Sequence, residues 1–379
     1  MSTVNAGILL IRADAHVAIG TGHVMRCLAL AQAWQDSGGR CIFALANVLP
    51  TLEQRLREEG MEVQHISADP GSDADAMETA HLATQAEADW IVVDGYHFGA
   101  NYQSIIKSSG CRLLFLDDHG HSDHYYADVV LNQNPHARES LYVNREKPTQ
   151  LLLGLRFAML RREFESWRKL EREIPAIGRK ILVTMGGSDP DDITSLVVEA
   201  LKSVRLTGLE AVVVLGAGNP HADSVRSLAA QSGGAVRCLT NPSNMPELMA
   251  WADLALTSAG GTLWELLSMG CCVLCYARTP VQEQMISQLQ HEGLVIALGS
   301  PEECNASRTA AVLVELANSP ERRMRFSMLG RKLVDGHGAM RVCEILIHNG
   351  RVRRNHGGGD PRPRKIKMKM DDSLLEAKE

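Results

Sequence analysis

The chain has 379 residues, enough for two domains of about 150 to 200 residues, each with its own core. Its 45% hydrophobic and 22% charged residues are those of a globular protein, and a net charge of -6 excludes a body built to bind nucleic acid or an anionic membrane. The opening Met1-Ser2-Thr3-Val4-Asn5 carries no positive segment and the apolar run after it is too short for a signal core or a span. With nine scattered cysteines, the chain reads as cytosolic with reduced thiols.

Short apolar runs alternate with amphipathic segments from the start. Strand Gly7 to Ala13 leads to helix Gly22 to Ser37, strand Cys41 to Ala46, helix Leu52 to Glu59 and strand Val63 to Ile66. Helices Asp73 to Thr84 and Asn101 to Ser109 then alternate with strands Trp90 to Asp94, Leu113 to Asp117, Val129 to Leu131 and Leu151 to Leu153. A charged, helix-like stretch from Leu160 to Glu173 runs into Ile174-Pro175-Ala176-Ile177-Gly178, the best linker candidate. The alternation restarts with strands Lys180 to Met185, Ala211 to Leu215, Ala235 to Leu239, Leu254 to Thr257, Val273 to Tyr276 and Val295 to Leu298, with helices between them up to about Val334. Such a pattern predicts α/β architecture, two Rossmann-like domains (1–172 and 173–349) with parallel sheets facing across a cleft, followed by a disorder-like charged tail (350–379). Ligands of open α/β sheets bind beyond the carboxyl ends of the strands, so the cleft is the expected site.

The first strand runs into Gly20-Thr21-Gly22-His23-Val24-Met25-Arg26. A glycine loop that opens a helix gathers backbone N–H groups and the positive helix end at one spot. A histidine there is harder to protonate, and His23 reads as a base poised for neutral pH. Arg26, on the same helical face, is expected to meet a phosphate or an acid such as Asp14. The loop is not a dinucleotide fingerprint, because Met25 stands where glycine would be needed and no acid follows the second strand; a Walker A sequence is also absent.

In the second half, Ser258-Ala259-Gly260-Gly261-Thr262-Leu263-Trp264-Glu265 again leads a strand into a helix. Its small residues suit the close approach of a diphosphate, and Glu265 suits a ribose. Thr262-x-x-Glu265 reads equally well as a capping box. Gly186 and Gly187, after the first strand of this half, line the same cleft or simply turn the chain. At the strand ends of the first half, Asp94, Tyr96 and Asp118 sit where they would orient His23 or hold sugar hydroxyls. Asp117, His119, His121 and His124 offer a metal set, but polar-loop histidines more often face solvent, and no metal or other cofactor is expected. The C-x-x-C at Cys272 to Cys275 reads as buried strand, since residues three apart on a strand point to opposite faces. The basic tail reads as a solvated segment, with nucleic-acid or membrane contact as the alternative.

Taken in order, Arg12-Ala13-Asp14 through Arg26, Val93-Asp94-Gly95-Tyr96, Leu116-Asp117-Asp118, Val130-Leu131-Asn132-Gln133-Asn134, Leu153-Gly154 to Glu163-Phe164, Met185 to Asp189 and Ser258 to Glu265 resemble the UDP-sugar hydrolases of pseudaminic acid biosynthesis, relatives of GT-B glycosyltransferases. The resemblance covers about residues 7 to 345. It implies hydrolysis of UDP-2,4-diacetamido-2,4,6-trideoxy-β-L-altropyranose to UDP and the free sugar, with His23 activating the water and inversion at the anomeric carbon. It also implies a sugar side formed by Asp14, Gly20, Gly22, Arg26, Asp94, Tyr96, Asp118 and Asn132. The nucleotide side would be Gly186, Gly187, Ser258, Gly260, Gly261, Thr262, Glu265 and Gln282, which favours ribose binding for Glu265. The chain departs from the family at Gly95, where several members have histidine, and at Ala15-His16-Val17-Ala18 in place of a serine-rich stretch. A UDP-sugar glycosyltransferase and a non-catalytic nucleotide-sugar-binding protein are the alternatives.

Overall fold

The first sheet is built on strand β1 (Ile8–Ala13), whose neighbours are β2 (Arg40–Leu45) on one side and β4 (Trp90–Asp94) on the other. Strand β3 (Glu62–His65) completes one flank, while β5 (Arg112–Leu116), β6 (Val129–Asn132) and β7 (Gln150–Leu153) complete the other, giving the order β3-β2-β1-β4-β5-β6-β7. The second sheet repeats the plan with β8 (Lys180–Thr184), β9 (Glu210–Leu215), β10 (Val236–Thr240), β11 (Leu254–Ser258), β12 (Cys272–Tyr276) and β13 (Val295–Gly299) in the order β10-β9-β8-β11-β12-β13. Every strand pairing is parallel. These are the two Rossmann-like domains expected from the alternation. The computed structural model describes residues 6–16, 19–300, 302–303 and 305–356. Val17 and Ala18, and the tail from residue 357 onward, lie outside the described residues.

Order and register place the chemistry. In each sheet the strand order reverses beside the first strand, between β1 and β4 and between β8 and β11, and such a switch point opens a crevice at the carboxyl ends. Ala13 pairs with Asp94, Asp94 with Leu116 and Leu116 with Leu131. The loops after β1, β4, β5 and β6 therefore start from one row. Thr184 pairs with Thr257 in the second sheet, and Ser258 with Tyr276, which makes a matching row.

Helix α1 (Gly22–Asp36) is buried on nearly every side, including Val24, Cys27, Leu28, Ala31 and Trp34, as a helix covered from two directions must be. One cover is the first sheet. The other is a helix that the sequence pattern missed, Gly338–His356, which returns from the end of the chain and places Ala339, Val342, Cys343 and Leu346 in the core of the first half. Trp90 Nε1 donates to Leu346 O at 3.2 Å and Cys343 Sγ lies 3.4 Å from Ser37 Oγ.

Between β7 and β8 the expected helix is not formed. Two short 3-10 turns, Leu155–Phe157 and Arg162–Trp167, take its place. The arginines of this strap are drawn outward to separate partners instead of lining one helical face: Arg162 to Gln32 and Asp36 of α1, and Arg172 to the carbonyls of Met269, Ala252 and Met249. Cys272 and Cys275 are buried in β12, as the strand reading required.

Arg12, on β1, is fully buried and forms two parallel hydrogen bonds to Asp75, Nε to Oδ1 at 2.9 Å and Nη2 to Oδ2 at 2.8 Å. Asp75 also accepts from Tyr102, Thr79 and the Gly71 amide. Removing Asp75 leaves the buried Arg12 with Asp14 as its charged partner and without the two parallel bonds that satisfy its fork. Asp75→Ala should therefore lower unfolding stability by about 3–5 kcal/mol, read as a drop in the urea midpoint; a loss within the range of an exposed pair, below about 1 kcal/mol, would show that the pair is dispensable.

Candidate active site

The loop after β1 delivers His23 to the second position of α1, with Thr21 as the residue before the helix. His23 is 9% exposed, and its Nδ1 lies 2.7 Å from Asp94 Oδ1 at the end of β4. Nδ1 also lies 3.2 Å from Arg26 Nη2, but the shorter contact to the carboxylate favours the proton on Nδ1 and leaves Nε2 as the acceptor; among the described residues His23 makes its side-chain bonds through Nδ1. Asp94, one of the acids expected to orient His23, occupies that position.

Arg26, one turn further along α1, does not reach Asp14. Its Nε and Nη2 each bond Asp94 at 2.6 Å and its Nη1 bonds Asp118 Oδ1 at 2.7 Å. Asp118 also accepts from Tyr96 OH at 2.8 Å and Asn134 Nδ2 at 2.7 Å. Burial pushes the Asp94 carboxyl up, but Arg26 and His23 outweigh it and hold it below its ordinary value. Asp118, half-buried, is pushed up by desolvation but held down by Arg26 first and His23 next. Arg26 thus meets acids, one of its two expected kinds of partner, but they are Asp94 and Asp118 and not Asp14.

Asp14 departs from expectation in the same way. It is 1% exposed, accepts from the amides of Ala46 and Asn47, and pairs with Arg12 at 2.8 Å and His97 at 3.3 Å. The short reach from the end of β1 to the loop after β2 explains this role, which ties the two loops together. Asn132 is buried, donates to Tyr142 OH at 2.7 Å and accepts from the amide and side chain of Asn134. It acts through Asn134, which was not singled out from the sequence although it belongs to the same Asn132-Gln133-Asn134 run.

Tyr96 is 54% exposed and sets its ring edge-on to His23, 4.9 Å between centroids, with His119 at 5.3 Å and His121 at 5.9 Å. Asp117 is occupied by the amides of His119 and Gly120 and by Tyr125 OH at 2.6 Å. Burial pushes its carboxyl up, but His121, Tyr125 and the Gly120 amide hold it at about 2. His124 turns away to Glu146. Asp117 and His121 thus pair with each other at 3.1 Å, while His119 makes ring contacts and His124 faces Glu146.

Across the cleft, the loop after β8 carries Gly186 and Gly187 and the loop after β11 carries Ser258 to Gly261. A methyl group at Gly187 would lie 3.1 Å from Thr21 Oγ1, so the two glycine loops meet across the cleft. At Gly216, after β9, a Cβ would lie 2.3 Å from Gly187 O, and only glycine allows that approach. Ser258 Oγ donates to Met185 O at 3.4 Å. Helix α8 (Gly261–Ser268) is preceded by Gly260 in extended conformation, with no side-chain cap. Thr262 therefore lies inside the first turn and the capping-box reading fails: the helix starts too early for Thr262 to precede it. Its leading amides, Gly261 and Thr262, point out of the helix start, where an anion is favoured.

Glu265, on the second turn of α8, is 9% exposed and takes two bonds on one oxygen, from Arg161 Nε at 3.1 Å and Arg161 Nη2 at 2.9 Å. Burial pushes its carboxyl above the ordinary value against the pull of Arg161. Gln282, on helix α9 (Pro280–His291), spans two loops, donating to Ala259 O at 3.1 Å and accepting from the Arg278 amide at 2.8 Å. It braces the loop that precedes α8. Arg161 and its partnership with Glu265 were not foreseen, though the run Leu160-Arg161-Arg162-Glu163 lay within a stretch read as a charged helix.

Two parallel sheets with their switch points face to face and two glycine loops in contact define a GT-B-like fold. HepE of Anabaena, in complex with UDP-glucose, has this fold, with a TM-score of 0.60 at 13% identity covering 91% of this chain and 99% of that one. Residues 180–327 match the glycosyltransferase family 28 C-terminal domain.

The whole-chain resemblance is borne out as well. The chain is 23% identical over 289 residues to the UDP-2,4-diacetamido-2,4,6-trideoxy-beta-L-altropyranose hydrolase of Campylobacter jejuni, covering 75% of this chain and 97% of that protein. It is 27% identical over 277 residues to an uncharacterized protein of Methanocaldococcus jannaschii, covering 72% of this chain and 56% of the relative, and so spans little more than half of that protein. Among the described residues no helix is long and apolar enough to cross a membrane.

The paired charges make a pH test. Asp94 and Asp118 have folded-state pKa values below the unfolded value of about 3.9, so their pairing stabilises the fold above about pH 4 and is lost as pH falls through the folded values. Arg26→Met keeps the burial and removes the guanidinium, leaving two charged, unpaired carboxylates at neutral pH. The deficit in urea midpoint relative to the parent should be largest near pH 7 and should shrink as pH approaches 4 and the stranded acids protonate. A deficit that stays constant over that range would refute the assignment.

Proposed function

We propose that this protein hydrolyses a UDP-linked diacetamido-trideoxy sugar, UDP-2,4-diacetamido-2,4,6-trideoxy-β-L-altropyranose or a close relative, to UDP and the free sugar in nonulosonic acid biosynthesis. The observation that carries the reading is the 2.7 Å bond between His23 Nδ1 and Asp94 Oδ1 at the switch point of the first sheet. It supports an imidazole whose Nε2 keeps its lone pair for a water molecule. The name of the Campylobacter relative supports hydrolysis over transfer.

In this mechanism Nε2 takes a proton from water as the water oxygen attacks the anomeric carbon. The bond between that carbon and the diphosphate oxygen breaks, and UDP leaves with the bonding pair. The helix start at Gly261 and Thr262 and the Gly186-Gly187 loop stabilise the departing charge through backbone N–H groups. Water and leaving group act from opposite faces of the sugar, which gives inversion. Two loops on opposite sides of one cleft suit that arrangement. The imidazolium so formed is balanced by Asp94 and returns its proton to solvent after UDP departs.

A glycosyltransferase using a UDP-sugar donor is the second reading, favoured by the family 28 match over residues 180–327. The discriminating experiment offers the UDP-sugar with no acceptor and measures UDP release in heavy-oxygen water. Rapid release with label in the sugar supports hydrolysis at carbon. Label in the phosphate, or release only when an acceptor is added, overturns it. His23→Ala should lower the rate by about 10²–10⁴-fold, the range of general-base catalysis, with UDP affinity retained; an unchanged rate would remove His23 from the mechanism.

A further inference from the structure

Resting on the reading of Glu265 as the ribose acceptor, we propose that Arg161 is a positioning residue for nucleotide binding, holding Glu265 from the strap between the two halves so that one carboxylate oxygen is fixed and the other is offered to the ribose hydroxyls. Both Arg161 bonds fall on Glu265 Oε1, at 3.1 and 2.9 Å, and among the described residues neither Arg161 bond uses Oε2. Two donors on a single oxygen fix the carboxyl rotamer without using its second acceptor.

Arg161 is itself fixed. Its Nη1 pairs with Glu163 at 2.6 Å, its guanidinium lies over the Phe164 ring at 5.4 Å, and it is 7% exposed. Glu163 bonds Arg55 Nη2 at 2.7 Å, on helix α2 (Pro50–Glu58) of the first half. The next residue, Arg162, faces the other way: its amide donates to Gln32 Oε1 at 2.8 Å and its guanidinium to Asp36, at the far end of the helix that begins with His23. Consecutive arginines therefore grip α8 and α1. The nucleotide helix is set relative to the helix of the proposed base by a strap two residues wide.

A nearby guanidinium with no positioning role would be replaceable by any cation and would leave affinity alone. Lysine is the discriminating variant, because an ammonium keeps the charge but lacks the planar fork that places two N–H groups on one oxygen. The experiment measures UDP dissociation constants by calorimetry and, with the UDP-sugar, KM and kcat for the parent, Arg161→Gln, Arg161→Lys and Arg162→Gln.

Expected for Arg161→Gln is UDP affinity weaker by about 10-fold or more, the effect of losing a charge-assisted contact, with KM raised in parallel and kcat at saturation within about threefold. Arg161→Lys should recover part of the affinity, and Arg162→Gln, which removes the same charge one residue away, should bind UDP as the parent does. If Arg161→Gln does not fold, the comparison of Arg161→Lys with Arg162→Gln carries the test. Parental UDP affinity in both Arg161 variants, or an equal loss in Arg162→Gln, overturns the proposal. A parent protein that fails to bind UDP overturns instead the nucleotide reading on which the proposal rests.

Discussion

One half-buried guanidinium sets the terms for the first half of the cleft. Arg26 sits between Asp94 and Asp118 with three bonds of 2.6 to 2.7 Å, and these carboxylates in turn hold His23, Tyr96 and Asn134. Taking such charges out of water is expensive, and the attraction repays it only where the geometry is good and the remaining lone pairs are filled. The network meets that condition because strand register delivers Asp94 and Asp118 from adjacent strand ends while α1 delivers Arg26 and His23 one turn apart. A shift of one residue in β4 or β5 would turn an acid to the other face of the sheet and leave Arg26 half paired.

That dependence explains why α1 is so firmly held. A helix that bears both the cation of the network and the proposed base must not rock. It is packed between the first sheet and the returning helix Gly338–His356, and pinned at its far end by Arg162. The returning helix belongs by sequence to the second half and by packing to the first. Together with the strap it makes two crossings between the halves, so the glycine loops face one another through an architecture with more than one connection. Small residues at Gly187 and Gly216 then let backbone approach backbone where side chains would separate the loops.

Much of this was legible in the chain. The strands and helices of both halves follow from period, and β4 (Trp90–Asp94) was placed to the residue, because a wholly buried parallel strand reads as an uninterrupted apolar run. The two glycine loops announced the cleft, and the acid that would orient His23 was among those expected. What escaped was pairing over distance. Arg26 lies 68 residues from Asp94 and 92 from Asp118, and Arg161 lies 104 from Glu265; nothing local in the sequence separates a cation destined for a buried acid from one destined for phosphate. Local grammar alone left two readings open at the second glycine loop. Thr262-x-x-Glu265 has the spacing of a cap, but the helix starts earlier. The returning helix does carry the helical period, with Ala339, Val342, Cys343 and Leu346 at i, i+3, i+4 and i+7, but nothing local shows that its apolar face packs on the first half.

The way the acids are used narrows the chemistry further than any single contact. Asp14, Asp94, Asp117 and Asp118 stand along one row of strand ends, and each is engaged by protein donors or cations and held below its ordinary pKa. None keeps the free lone pairs and raised pKa that would suit a carboxylate to act as a general base near neutrality. The row leaves imidazoles for that work. His97 is turned to Asp14, and His121 to Asp117 and the Phe98 carbonyl. His119 contributes ring contacts to Tyr96 and His121 but has no acid behind its ring. His23 alone among these four combines a carboxylate at Nδ1, an Nε2 left as the acceptor and a place at the helix start facing the second-half loops. A base needs an orienting partner, a free lone pair and a path to the reacting atom together, and the distribution of acids along the row supports giving that role to His23.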